Sequence, residues 1–128
     1  MRDNDIAPGA GKTGLTRLFY AFGYSLNGLR ACMRTEAAFR LEVWLACFLI
    51  PLSLVVDVTM GQHVLLVFVI VLVLIVELIN SAIERVVDRI SLDRHDLSKE
   101  AKDIGSAAVL LAVIFAVFTW VSIFFLWK

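Results

Sequence analysis

The most constraining feature of this sequence is an apolar run that ends in a series of polar and acidic side chains. Residues 64–76 contain no polar side chain, and a helix is predicted over residues 64–90. At about 100° per residue, five of the polar side chains that follow lie within roughly 50° of one line along this helix. They are Glu77, Asn80, Ser81, Glu84 and Asp88. One face of the helix is therefore acidic, while the rest is mostly apolar.

The length of this helix indicates a membrane span. Residues 64–76 cover about 20 Å, whereas the hydrocarbon core of a bilayer is about 30 Å thick, so the span is predicted to extend over residues 64–83. Glu77 then lies inside the hydrocarbon and Glu84 at the headgroups. Ionisable groups at membrane depth are costly and usually mark function, so the acidic face is a candidate site. A helix end that is acidic without a function is the alternative.

Composition places the chain among membrane proteins. Of its 128 residues, 60% are apolar, which favours a single membrane-embedded domain. The chain has 12 basic and 12 acidic residues, so charge gives no reason to expect a nucleic-acid partner. Residues 1–13 are polar and glycine-rich and are predicted to be a disordered lead-in. The predicted domain covers residues 14–128.

A second helical pattern precedes the apolar spans. Over residues 15–34, apolar side chains recur at spacings of three and four, and basic side chains occupy much of the opposite face. This pattern is typical of a helix that lies in the membrane surface, with its basic face towards headgroups or anionic ligands. A plain amphipathic anchor explains the pattern equally well.

Two further spans are predicted, at residues 37–56 and 107–127. Residues 57–63 are predicted to form a tight connection, and the polar residues 91–103 a loop. The small residues at the start of the last span allow close approach of another helix, and the aromatic residues at its far end form an interfacial belt. The small residues are Gly105, Ser106, Ala107 and Ala108, and the aromatic residues are Phe124, Phe125 and Trp127.

The distribution of basic residues predicts the orientation. Six lysines and arginines lie before or at the start of the first span, five lie between the second and third spans, and Lys128 follows the third. The positive-inside rule then puts the N-terminus and the second connection in the cytoplasm. The acidic face, and the basic residues that follow it in the second connection, would therefore meet cytoplasmic ATP and magnesium.

Two carboxylates from different segments, Glu36 and Glu84, suit a magnesium ion, which is usually held by one or two carboxylates together with substrate phosphates. Phosphoryl transfer also needs a group that orients or deprotonates the attacking hydroxyl. Glu77 lies about 10 Å deeper than Glu84 along the helix, where a lipid could present such a hydroxyl. The same geometry fits a proton relay or an ion site in a transporter.

Three segments carry a resemblance to a known family. VELINSAIERVVDRIS, the following KDIGSAAVLLAV and the preceding GLRACMRTEAAFRLE closely resemble the prokaryotic diacylglycerol kinase family, from about Leu15 to the C-terminus. The resemblance implies an all-α membrane protein with a surface helix and three transmembrane helices, assembled as a homotrimer. It also implies ATP-dependent phosphorylation of diacylglycerol to phosphatidic acid at the inner membrane.

The resemblance also implies roles for individual residues. Glu77 corresponds to the catalytic base, and Glu36 and Glu84 to the carboxylates that hold Mg²⁺ on the ATP phosphates. The positions that correspond to ATP contacts are Arg17, Tyr24, Glu36, Asn80, Glu84, Asp93, Arg94, His95, Lys102 and Asp103. The positions that correspond to lipid contacts are Arg17, Glu77 and Ser106.

Two other functions are also compatible with these residues. An undecaprenol kinase would share the scaffold and the metal-binding carboxylates but accept a polyprenyl alcohol. Ser106 and its small neighbours resemble the diacylglycerol branch, whereas Met33 and Leu41 stand where members of that branch often carry tryptophan and glutamine. A small transport or structural membrane protein belongs to a different class and would have no need for Glu36.

Overall fold

The computed structural model describes residues 13–126, and all regular secondary structure in this part of the chain is helical. The helices match the predicted all-α architecture, and the last of them passes into a short π-helical segment. The elements are α1 at Leu15–Thr35, α2 at Ala37–Val55, α3 at Met60–Ile90, α4 at Asp96–Val121 and the π-helical segment at Ser122–Leu126. Most of the predicted lead-in, residues 1–12, lies outside the described residues, as does Trp127 of the predicted aromatic belt.

The chain divides into two compact units, Met1–Thr35 and Glu36–Lys128. The described part of the first unit is α1, which confirms the helix predicted over residues 15–34. Gly14 precedes α1 with a φ of 67°, a left-handed conformation that glycine adopts without steric cost. Along α1, Leu15, Leu18 and Phe22 are exposed, so the apolar face predicted from the sequence exists.

The second unit contains three helices that are long and apolar enough to cross a membrane. They are α2, α3 and the continuous helix from Asp96 to Leu126. Helix α3 packs against both of the others, and most extensively against α4. These features confirm three transmembrane helices, with α3 at the centre of the unit.

The core between α3 and α4 consists of branched residues on one helix and small residues on the other. Val69 and Val73 pack with Ala112 and Ala116, and all four are buried. The two alanines are four residues apart and therefore share one face of α4. Because their side chains are short, the backbone of α4 can come close to α3, as is common between helices in membranes.

Helix α4 begins at Asp96, so the prediction of a loop over residues 91–103 was wrong beyond His95. His95 caps the helix, since its Nδ1 accepts a hydrogen bond of 3.2 Å from the backbone N–H of Leu97. Lys99 forms an ion pair with Asp103 one turn later. A histidine cap and an i,i+4 ion pair favour a helix in a segment whose polar composition resembles that of a loop.

The connection between α2 and α3 is also shorter than predicted. Only residues 56–59 are non-helical, because Thr59 starts α3 with a capping box. The Thr59 side chain accepts from the backbone N–H of Gln62, and the Gln62 side chain accepts from the backbone N–H of Thr59. Gly61 therefore lies in the first turn of a helix and not in a tight turn.

Candidate functional site

The polar residues predicted to share one face of α3 continue the face that packs the core. Leu66, Val69 and Val73 are buried on this face, and Glu77, Asn80 and Ser81 continue it with less than a tenth of their surface exposed. Glu84 is half-buried and Asp88 is exposed. The acidic face therefore runs from the interior of the bundle outwards. This confirms that these residues share a face, and it shows that the deepest carboxylate, Glu77, faces protein.

One hydrogen bond links two members of this face. The side-chain nitrogen Nδ2 of Asn80 donates to Oε1 of Glu84 at 3.2 Å, as expected for residues four apart on a helix. The other amide atom, Oδ1, is buried and has no hydrogen-bond partner among the described residues. Asn80 therefore acts on Glu84 through one end of its amide only.

Glu36 comes from the residue before α2 and reaches α3. Its Oε1 accepts a hydrogen bond of 3.4 Å from the Arg85 guanidinium, which also forms an ion pair with it. Arg85 is the neighbour of Glu84 in sequence, so Glu36 lies beside the turn of α3 that carries Glu84, and Glu77 lies about two turns away on the same helix. The three glutamates singled out from the sequence therefore lie in one region of the second unit.

Glu42 is a further carboxylate that the sequence analysis did not single out. It is half-buried on α2. Its Oε2 is buried without a hydrogen-bond partner in the described part of the chain. Glu42 also borders an apolar groove of about 140 Å³ between α2, α3 and α4. The signal in the sequence is its place as the last charge before the uncharged residues 43–56.

A second feature is a polar pocket of about 390 Å³ where α3 ends and α4 begins. Lys102 lies on its wall and forms an ion pair of 2.5 Å with Asp88 across the two helices. Positive side chains around an open pocket are suited to phosphate groups. The polar residues that line it are Asp88, Ser91, Asp93, Arg94, His95, Ser98, Lys99 and Lys102.

The remaining predicted site residues are not brought together by these contacts. Arg17 and Tyr24 lie exposed on α1, in the first unit. Asp103 is exposed and pairs with Lys99 on its own helix. Ser106 is exposed one residue beyond the buried Gly105.

Two of the carboxylates are placed to hold a magnesium ion together with a nucleotide. The described residues contain no group of three or more His, Cys, Asp or Glu side chains arranged to hold a metal. A magnesium ion bound with a nucleotide needs only one or two carboxylates, since phosphates and water complete its octahedron. Glu84, which is held by Asn80, and Glu36, which is held by Arg85, fit this requirement.

The fold and the site define a small helical membrane protein with three glutamates in one region of the bundle and a polar pocket where α3 ends and α4 begins. Comparison with known families identifies the group within this class. The sequence profile described as prokaryotic diacylglycerol kinase matches residues 23–124, so the chain belongs to that family. The family resemblance seen in the sequence is thereby confirmed.

Curated relatives extend this match over most of the chain. A protein named diacylglycerol kinase from Pseudomonas aeruginosa is 52% identical over 117 residues, which cover 91% of this chain and 95% of the relative. One from Escherichia coli K12 is 52% identical over 108 residues, which cover 84% and 88%. One from Haemophilus influenzae is 46% identical over 113 residues, which cover 88% and 96%.

Proposed function

We propose that this protein transfers the γ-phosphate of ATP to the hydroxyl of diacylglycerol and so forms phosphatidic acid. The observation that carries the proposal is the placement of Glu36, Glu77 and Glu84 in one region of the second unit, in a chain of this family. The relatives are named diacylglycerol kinase, which favours diacylglycerol over undecaprenol as the acceptor.

In the proposed reaction Glu77 is the general base. Its carboxylate takes the proton of the lipid hydroxyl, whose oxygen attacks the γ-phosphorus as the bond to ADP breaks. The position of Glu77 on the long apolar helix α3 supports this role, because a base at membrane depth can meet the hydroxyl of a lipid. Ser106 and Arg17 are the other proposed lipid contacts.

Glu36 and Glu84 are the proposed ligands of Mg²⁺. When bound, the ion neutralises charge on the ATP phosphates and lowers the barrier to their transfer. The contribution of this chain is to orient the two carboxylates, Glu84 through Asn80 and Glu36 through Arg85.

The polar pocket beside Asp88 is the proposed region of nucleotide binding. Its lining includes Arg94 and Lys102, which supply positive charge, and Asp93 and His95, which supply hydrogen-bonding groups. The remaining proposed nucleotide contacts are Arg17, Tyr24, Asn80 and Asp103.

The biological setting is proposed from the family and from the charge distribution. Residues 14–128 act as one kinase domain in the bacterial inner membrane, with the N-terminus and the active site in the cytoplasm. The excess of basic residues at the two predicted cytoplasmic segments supports this orientation. The functional unit is a homotrimer whose subunits share active sites.

The experiment that tests the function measures transfer of the ATP γ-phosphate in mixed micelles with magnesium. Diacylglycerol and undecaprenol are offered separately, and the Glu84→Gln protein serves as the inactive control. Preferential phosphorylation of diacylglycerol is expected. Preference for undecaprenol would keep the mechanism and change the substrate, whereas no transfer to either lipid by well-folded protein would exclude the kinase function.

A further inference from the structure

At one level of the bundle, α3 and α4 approach so closely that a side chain does not fit between them. Gly105 of α4 is buried, and a Cβ placed on it would overlap Oδ1 of Asn80 on α3 and lie 3.4 Å from Cγ of the same side chain. By contrast, a Cβ at Gly23, Gly28 or Gly61 would have no heavy atom within 4 Å. Of these four helical glycines, only Gly105 occupies a position where any larger residue would clash with a neighbouring side chain.

The atom that fills this space belongs to the amide that contacts Glu84. Asn80 donates through Nδ2 to Glu84, while its Oδ1 points at Gly105 and has no hydrogen-bond partner among the described residues. A flipped amide would bring Oδ1 against the Glu84 carboxylate, where two acceptors would repel each other. The orientation of Asn80 is therefore fixed by a hydrogen bond at one end and by the room beside Gly105 at the other.

We propose that Gly105 is a positioning residue for Glu84, acting through Asn80. By carrying no side chain, Gly105 leaves the space in which the Asn80 amide points its N–H group at the carboxylate. This inference rests on the proposed function, in which Glu84 holds Mg²⁺. Groups that orient a metal ligand through a hydrogen bond typically change metal affinity or activity by about 10- to 100-fold when they are removed.

The Gly105→Ala variant tests this proposal. Its added methyl group would overlap the Asn80 amide, and rotation of that amide is the simplest way to remove the overlap. The packed α3–α4 pair resists separation, whereas the Asn80 amide lies at the end of a short side chain that can rotate. Rotation removes the hydrogen bond to Glu84 and leaves the fold intact. Alanine also favours helix more than glycine, so the backbone of α4 is not weakened by the change.

The matched control is Gly61→Ala in the first turn of α3, where the added methyl group enters open space. We expect Gly105→Ala to raise the Mg²⁺ concentration for half-maximal activity at least about tenfold, within the range seen for lost ligand-orienting contacts. Gly61→Ala should leave this concentration unchanged. Equal magnesium dependence in both variants and the parent would overturn the proposal.

A second measurement does not depend on activity. The side-chain amide signals of Asn80, assigned by their loss in Asn80→Ser, report its hydrogen bond to Glu84 in the nuclear magnetic resonance spectrum. We expect these signals to shift in Gly105→Ala and to stay in place in Gly61→Ala. Unshifted signals would overturn the proposal. If the parent protein transfers no phosphate to lipid, the proposed function fails, but these signals still show whether Gly105 controls Asn80.

A double-mutant cycle separates positioning from a general packing defect. In the Asn80→Ser background the amide is absent, so adding Gly105→Ala should cause no further rise in the magnesium requirement. An equal effect of Gly105→Ala in both backgrounds would overturn the proposal. Unfolding of the single variant Gly105→Ala would also overturn the proposal. It would show that the packing of α3 against α4 changes, and not only the orientation of the Asn80 amide.

Discussion

Arg85 of α3 forms an ion pair of 3.4 Å with Glu36, the residue that immediately precedes α2. The pair joins the two segments that supply the proposed metal ligands, since Glu84 is the neighbour of Arg85 in sequence. About 44% of the Arg85 side chain and 26% of the Glu36 side chain is exposed. At such exposure an ion pair contributes only about 0 to 1 kcal/mol to stability, so its main effect is on the position of the Glu36 carboxylate.

Arg85→Gln should therefore affect catalysis more than folding. We expect the KM for magnesium–ATP to rise several-fold, because Glu36 loses the cation that orients it, while the thermal unfolding temperature changes little. Arg89→Gln is the matched control, since Arg89 is an exposed arginine one turn later on α3. A similar KM in the two variants would contradict the role assigned to Arg85.

Glu84→Gln should abolish turnover at ordinary magnesium concentrations while leaving the assembly of the protein intact. Glutamine keeps the shape and the hydrogen-bonding capacity of the side chain but removes the charge that a magnesium ion requires. Activity is measured across a magnesium titration, with Glu100→Gln, an exposed glutamate on α4, as the control. A Glu84→Gln protein with the magnesium dependence of the parent would refute the metal assignment.

Glu77→Gln should lower turnover far more than it lowers ATP affinity. A general base typically contributes about 10²- to 10⁴-fold to the rate and acts on the lipid hydroxyl, not on the nucleotide. The check is to compare kcat with the KM for ATP under saturating lipid. Weakened ATP binding with normal saturated turnover would be the opposite pattern and would contradict the assignment.

The shared face of α3 could be predicted from the sequence because helical periodicity is a local property. The spacing of Glu77, Asn80 and Ser81 is enough to place them on one line, and the structure buries all three. Small residues near Gly105 also predicted a close helix approach. The contact of Gly105 with Asn80 could not be predicted, because it depends on how far α4 is shifted along α3.

Contacts between α2 and α3 could not be predicted either, because they also depend on how two helices pack against each other. Glu36 meets Arg85, and Glu42 lines a groove together with Val73, because of the relative rotation of two helices, which no spacing within one helix defines. The start of α4 is a different case. Its signals, the capping His95 and the Lys99–Asp103 spacing, are present in the sequence, but the polar composition of the segment favoured a loop.

The ion pair between Lys102 and Asp88 joins α4 to α3 at the polar pocket. Lys102 has two possible uses in the proposed enzyme, to link the helices and to bind the ATP phosphates. Exchanging the charges of residues 88 and 102 distinguishes these two roles. In the double variant Asp88→Lys with Lys102→Asp, the ion pair is preserved in reverse, but the positive charge moves to position 88 on the α3 side of the pocket and position 102 becomes negative.

We expect this double variant to fold like the parent and to show a KM for ATP that is raised at least as much as in Lys102→Gln alone. The reason is that phosphate binding depends on where the positive charge lies, whereas a link between helices depends only on the presence of opposite charges. The measurements are the KM for ATP and the thermal unfolding temperature. Recovery of the parental KM in the double variant would contradict this prediction, because it would show that phosphate binding does not require the positive charge at position 102.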